Sequence, residues 1–158
     1  SLLNCRIEGL NSFKPHLFII DLNLRLKKNL LLNNLLKKRT TYLIINKDNV
    51  EKAKIFKKLG YKIILINSLK TESDFILLYK KIYKLGYSRV FVETGLTFLN
   101  TLVENNAIHD LYIFKSGNKL GKKGKNNASL KHLKKIRSKL ITINLKDDKL
   151  YKKEFNNV

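Results

Sequence analysis

The chain has a single cysteine, Cys5, and no Cys/His cluster with the spacing of zinc ligands. An internal disulfide framework is therefore excluded, no metal is expected, and the cytoplasm is the compartment that fits best. Long apolar runs are also missing. A membrane span needs roughly 18 apolar residues in a row, and the longest patch, Leu30 to Leu36, is broken by Asn33 and Asn34. No membrane partner is expected. Arginine is scarce too: only Arg6, Arg25, Arg39, Arg89 and Arg137 are found among the 33 basic residues, although arginine is the residue that reads bases and grips phosphates in bidentate fashion. No charged leader and apolar signal segment opens the chain, which starts at Ser1 and reads as one whose beginning is missing.

What is abundant is lysine. With 12 acidic residues against 33 basic ones the formal net charge is +21, and a nucleic-acid binder is the first reading this suggests. The distribution argues against it. Lys52, Lys54, Lys57 and Lys58 share the polar face of one amphipathic pattern, and Lys80, Lys81 and Lys84 that of another, as solvated helix faces do. The one dense basic run, Lys119 to Asn127, carries glycines that mark a loop, and it lacks the aromatic residues of a stacking platform. No nucleic-acid partner is expected. At 158 residues and 44% hydrophobic, the chain is the size of one domain with a real core.

Periodicity supplies the fold class. Leu17–Asp21, Tyr42–Asn46, Lys62–Ile66, Arg89–Glu93 and Leu111–Phe114 are short, nearly continuous apolar runs, and they read as strands covered on both faces. Between them lie helical patterns. One spans Asp48 to Leu59 and stops at Gly60; a second spans Glu72 to Leu85, with Thr71 as its cap and Gly86 as its stop; a third runs from Leu96 to Asn106. Alternation at this spacing predicts an α/β domain with a largely parallel sheet. Residues 139–145 and 149–155 flank Asp147 and Asp148, which predicts a C-terminal antiparallel hairpin and makes the sheet mixed. No repeat or linker divides the chain, so residues 1–158 read as a single domain.

Ligands of such sheets gather outside the carboxyl ends of the strands. There the stretch "VETGLTFLNTLVENN" places Glu93, Thr94 and Gly95 between a strand and a helix. Gly95 allows close approach to the backbone, and the helix start, with its roughly half a unit of positive charge, favours a phosphate. Thr97 and Thr101 could add hydroxyl donors. Glu93 would repel a phosphate, and a carboxylate in that place suits the N–H groups of an amino-pyrimidine ring. Taken alone, the turn reads equally as a helix start with a solvent-exposed acid. Asp21, at another strand end, reads as structural, and His16, His109 and His132 read as surface or loop residues rather than proton donors.

Three ordered motifs, "LLNCRIEGLNSFKPHLFIIDLNLRL", "VETGLTFLNTLVENNAIHDLYIF" with its following Gly-rich basic loop, and "LKDDKLYKKEF", together resemble the reductase domain of the bifunctional riboflavin-biosynthesis deaminase-reductase family. The resemblance covers nearly the whole chain. It implies a three-layer fold similar to dihydrofolate reductase, a pyrimidine ribosyl-phosphate substrate, NADPH as cofactor, and a homodimer or higher homo-oligomer. It implies that Leu3, Arg6 and Glu93 contact the substrate. Gly95, Leu96, Thr97, Phe98, Leu99, Asn100 and Thr101 occupy the family's diphosphate-binding turn and helix start, and Leu22 falls at a further cofactor contact, where leucine has only its backbone to offer. Thr94 stands where the family has a small Gly or Ala. The family's opening strand, helix and Thr…Asp-Asn-Pro loop, and the deaminase half with its zinc site, precede the matched region, so this reductase domain reads as N-terminally incomplete. The activity implied is that of a 5-amino-6-(5-phosphoribosylamino)uracil reductase, with hydride delivered to C1′ of the ribosyl group. Two other readings stand beside it: a basic nucleic-acid-binding domain, and an inactive reductase-like module kept for dimerisation.

Overall fold

The computed structural model describes residues 15–117, 136, 138–143 and 147–155. They fall into two compact units, one reaching Leu69 and one beginning at Lys70.

In the first unit β1 (Leu17–Ile20), β2 (Thr41–Asn46) and β3 (Lys62–Ile66) form a parallel sheet with β2 in the middle. The central position explains the pattern of β2: Tyr42, Leu43, Ile44 and Ile45 are all buried, so the strand is apolar throughout instead of alternating. The register sets Ile19 beside Leu43 and Leu43 beside Ile63. Onto this face packs α1 (Val50–Leu59), whose Ala53 and Phe56 join Leu43, Ile45 and Tyr61 in one core cluster. Each large side chain buried there stabilises the fold by about 1.5–3 kcal/mol.

Gly60 ends α1 at φ 106°, a left-handed conformation that favours glycine. Its N–H donates to the Lys57 carbonyl at 3.0 Å, and the next N–H, of Tyr61, donates to the Phe56 carbonyl at 3.1 Å. That turn delivers Tyr61 into the core, edge-on to Phe56 with ring centroids 5.8 Å apart. The Tyr61 hydroxyl donates to Asn33 Oδ1 at 2.8 Å, and burial pushes the phenol above its ordinary pKa. The asparagine that interrupts the Leu30 to Leu36 run thus has a partner. Its neighbours Leu32 and Leu36, within and after a 3₁₀ helix at Leu31–Leu35, pack against the same core.

The second unit begins with α2 (Glu72–Lys84), entered through a complete capping box. The Thr71 side chain accepts from the Asp74 N–H, and the Asp74 carboxylate accepts from the Thr71 N–H at 3.1 Å. Phe75, Leu78 and Ile82, spaced as one helix face, are buried. α3 (Leu96–Glu104) contributes Leu102, 2% exposed, and Phe98, whose ring lies 6.2 Å from that of Phe75. The Tyr79 hydroxyl donates to the Ala107 carbonyl at 2.6 Å, tying the segment after α3 to α2. β4 (Asp110–Lys115), β5 (Lys139–Ile141) and β6 (Lys149–Glu154) form an antiparallel sheet in the order β4-β6-β5. β5 and β6 are the expected C-terminal hairpin.

The fold is mixed α/β with parallel and antiparallel pairing, as the alternation of elements predicts, but the strands are divided between two three-stranded sheets. Not every expected strand is covered on both faces, since Tyr112 and Phe114 of β4 are 46% and 67% exposed, and one expected strand does not form. Residues Arg89–Glu93 form no strand, and Val90, Phe91 and Val92 are 41%, 82% and 39% exposed instead of buried. The physical reason is that a strand exists only through the ladder it joins. Apolar, β-branched content expresses a preference for burial without naming a partner, and no strand among the described residues pairs with this segment.

Candidate functional site

In the second unit the Glu93-Thr94-Gly95 turn leads straight into α3. Gly95 is the N-cap residue at φ −78° and ψ 166°, extended backbone that any residue adopts. A Cβ added there would meet no heavy atom within 4 Å. Neither backbone strain nor packing among the described residues calls for glycine at this position, and the main chain there lies open. The first turn of α3 has no side-chain cap and no acidic residue, in contrast to the capping box of α2. By helix geometry the N–H groups of Leu96, Thr97 and Phe98 have no acceptor within the helix, and they form the positive end of its dipole. An open backbone, orphan donors and a first helical turn without an acidic residue fit a diphosphate group, although Glu93 lies two residues before Gly95.

The side chains of that first turn divide. Thr97 is exposed, and Leu96, Leu99 and Asn100 are half-buried. Phe98 faces Phe75, so its contribution to a ligand is its main chain. The Thr101 hydroxyl donates to the Thr97 carbonyl at 3.3 Å, a bond along the helix that engages the proton otherwise free for a phosphate. Glu93 is exposed and makes no hydrogen bond or ion pair among the described residues. It does not cap α3, and its exposure is equally that of the solvent-exposed acid at a helix start which the turn, taken alone, also reads as.

In the first unit Leu22 lies in a turn organised by Asp21. The Asp21 N–H donates to the Ile44 carbonyl at 2.9 Å, carrying the β1–β2 ladder one residue further. The Asp21 carboxylate accepts from the Leu26 N–H at 2.7 Å, which gives Asp21 the structural role expected of it. Leu24 has φ 51°, a left-handed conformation that costs a non-glycine residue about 1–2 kcal/mol. Two features offset that cost: the Leu24 N–H donates to the Asp21 carbonyl at 3.0 Å, and the Leu24 side chain packs on the core with Leu26. The Leu22 carbonyl accepts twice, from the Asn46 N–H at 3.2 Å and from Asn49 Nδ2 at 2.9 Å.

Leu3, Arg6, the basic loop from Lys119 to Asn127 and His132 lie outside the described residues. Two groupings escaped the sequence. Asparagines 46 and 49 bind the carboxyl ends of the parallel strands, with Asn46 Nδ2 donating to the Asn67 carbonyl at 2.6 Å. Their signal was a pair of asparagines at a strand-to-helix junction, although their acceptors lie 21 to 27 residues away in sequence. The other grouping is across the antiparallel sheet, where Lys152 Nζ lies 3.1 Å from Asp110 Oδ1 and also binds Glu154, while His109 Nδ1 lies 3.2 Å from Asp110 Oδ2. Hydrogen bonds from Lys152 and His109 hold the Asp110 carboxyl below its ordinary range, and Lys152 does the same to Glu154. Glu154 and then Asp110 push the Lys152 ammonium up. Only the β4–β6 register brings these residues together, and sequence spacing does not reveal a register.

Among the described residues no group of three or more His, Cys, Asp or Glu could hold a metal ion, and no helix is long and apolar enough to cross a membrane. Comparison with protein-family models and with curated protein sequences finds no match. Among solved structures the chain is similar to RibD from Acinetobacter baumannii, form 2, with a TM-score of 0.61 at 19% identity. That likeness covers 85% of this chain and 36% of that one, so the chain spans about a third of the length of its structural neighbour, and what it shows is the fold.

Proposed function

We propose that this chain is the reductase part of a riboflavin-biosynthesis enzyme, a 5-amino-6-(5-phosphoribosylamino)uracil reductase that uses NADPH. The observation that carries the reading is Gly95. It is a glycine that the fold does not require, at the uncapped start of a helix, where the motifs of the sequence resemble the diphosphate-binding turn of that family. The likeness in fold to a RibD protein supports the same reading.

When bound, NADPH supplies a hydride to C1′ of the ribosyl group, so the protein's contribution is binding and orientation. The main-chain N–H groups of Leu96, Thr97 and Phe98 hold the diphosphate, and the open backbone of Gly95 lets it come close. Leu99, Asn100 and Thr101 would continue that contact along α3, and Leu22 stands where the resemblance implies a further cofactor contact. Glu93 accepts hydrogen bonds from the pyrimidine N–H groups through a carboxylate that no other described residue engages. Arg6 grips the substrate phosphate as a planar, permanently charged fork, with Leu3 beside it. Both units belong to one reductase domain in this reading, and the enzyme acts in the cytoplasm as a homodimer or higher homo-oligomer. The test is an assay of the full-length protein for NADPH oxidation that depends on the deaminated pyrimidine phosphate.

A further inference from the structure

Lysines that stand far apart in the sequence meet in the first unit. Three adjacent pairs are involved: Lys27 and Lys28 after the turn that follows β1, Lys37 and Lys38 before β2, and Lys57 and Lys58 in the last turn of α1, all of them exposed. Asn33 and its neighbours hold them together. Asn33 Nδ2 donates to the Lys28 carbonyl, Asn33 Oδ1 accepts from the Tyr61 hydroxyl just past α1, and the Lys38 N–H donates to the carbonyl of Leu35, in the same 3₁₀ helix, at 2.9 Å. The end of α1 reaches that helix at a second point. A Cβ on Gly60 would lie 3.8 Å from Leu36 Cβ, and the Gly60 N–H donates to the Lys57 carbonyl. Leu31, which opens the 3₁₀ helix, is 82% exposed, and Leu59, beside Lys58, is 41% exposed.

None of the six lysines forms an ion pair among the described residues, and the chain from Leu22 to Lys47 contains no acid. The acids on either side are committed: Asp21 accepts from the Leu26 N–H at 2.7 Å, and Glu51, at the other end of α1, pairs with Lys54 at 2.6 Å. Like charges left uncompensated on one patch raise its positive potential and favour a surface of negative charge. The kind of surface follows from what accompanies the lysines. Nucleic-acid platforms join positive charge to exposed aromatic rings and arginine forks, whereas here the exposed apolar side chains are the aliphatic Leu31 and Leu59, and the one exposed arginine nearby in sequence is Arg25. Lysines around an exposed leucine suit a lipid surface, where ammonium groups meet anionic headgroups and the leucine enters the acyl boundary. No spanning helix is needed for that. We propose that this patch docks the protein peripherally on a bilayer rich in anionic phospholipid. The proposal stands independently of the reductase reading.

Co-sedimentation of the full-length protein with lipid vesicles tests it. Vesicles of phosphatidylcholine with about one-third phosphatidylglycerol should bind the protein and pure phosphatidylcholine should not, and binding should fade between about 0.1 M and 1 M salt, as the Debye length falls from about 10 Å to about 3 Å. Lys28→Gln, Lys38→Gln and Lys58→Gln, one from each pair, should each weaken binding roughly fivefold, and about a hundredfold together. Leu31→Ser should lower affinity about three- to tenfold and leave the salt dependence unchanged. Lys80→Gln, Lys84→Gln and Lys149→Gln remove the same charge from the second unit, and together they should change binding by less than about twofold, because exposed charges act only within a Debye length. The replaced side chains are exposed, so thermal midpoints should stay near wild type. Equal losses from the two triple variants would make total charge the cause and overturn the proposal. A single-stranded oligonucleotide that binds more tightly than the anionic vesicles, with no effect of Leu31→Ser, would overturn it in favour of nucleic acid, and absence of binding to anionic vesicles at about 0.1 M salt would overturn it outright.

Discussion

Replacing Gly95 by valine separates a ligand's demand for glycine from a fold's. The backbone there is at φ −78° and ψ 166°, a region valine prefers, and an added Cβ meets nothing within 4 Å, so no steric penalty arises in the protein itself. Two small terms remain. Valine is a poorer N-cap than glycine, which costs roughly 0.5–1 kcal/mol, and the unfolded chain loses freedom, which returns roughly 0.4–1 kcal/mol. The net change in stability is expected to be within about 0.5 kcal/mol of zero, below what most buried substitutions produce. For a diphosphate against the α3 main chain the outlook differs. A branched Cβ occupies the approach and holds the anion away from the N–H groups, and losing two charge-assisted hydrogen bonds at about 1.5 kcal/mol each weakens binding by roughly two orders of magnitude. Thermal unfolding and fluorescence titration with NADPH, both on the full-length protein, measure the two effects separately. A well-folded Gly95→Val variant with wild-type cofactor affinity would refute the assignment of the phosphate site.

Glu93→Gln should cost about 1–3 kcal/mol in kcat/KM for the pyrimidine, by facing a donor to the substrate's donors, and leave the NADPH dissociation constant unchanged; normal kinetics would remove Glu93 from the substrate site. Tyr61→Phe should lower stability by about 1 kcal/mol in urea unfolding, because it deletes the bond to Asn33 and leaves the aromatic packing on Phe56 in place. The Asp110, Lys152 and Glu154 cluster sets a pH dependence: carboxyls held below their unfolded values stabilise the fold above the ordinary carboxylate range and lose that effect as pH falls through their folded values. The raised Lys152 ammonium keeps its contribution at neutral pH and loses it only as pH rises past the ordinary lysine range. Lys152→Gln should therefore move both carboxyl titrations back up, as read by carbon NMR. Nucleic acids should bind weakly, without sequence preference and with a steep loss in salt, because the lysines are dispersed; tight binding to one sequence at physiological salt would favour a nucleic-acid-binding role.

The elements legible in the sequence were those whose causes are local. β2 and β3 are continuous apolar runs, the α2 start is a capping box written in Thr71 and Asp74, and the α1 and α2 ends are marked by Gly60 and Gly86 at φ 106° and 93°. Illegible were the features that depend on a distant partner. Val90 to Val92 have the composition of a buried strand, yet nothing in three residues states which edge would receive them, and the structure leaves them exposed. The same reason hid Lys152 from Asp110 and Asn49 from Leu22, each pair joined by strand order or register rather than spacing. At the candidate site the sequence indicated the Glu93 to Gly95 turn and the helix it opens. It could not indicate that the glycine there is free of internal demands, which is the observation that gives the turn its functional weight.

The central claim is that this chain belongs to an enzyme that reduces a ribosylamino-pyrimidine phosphate with NADPH. The most direct measurement is the loss of NADPH absorbance when the full-length protein is mixed with cofactor and the deaminated pyrimidine phosphate, with the product identified by mass spectrometry. The account predicts oxidation that needs both compounds, yields the ribitylamino product heavier by two hydrogens, and falls sharply in Glu93→Gln and Gly95→Val. Full-length protein that binds neither NADPH nor the pyrimidine phosphate, and leaves the absorbance unchanged, would contradict it.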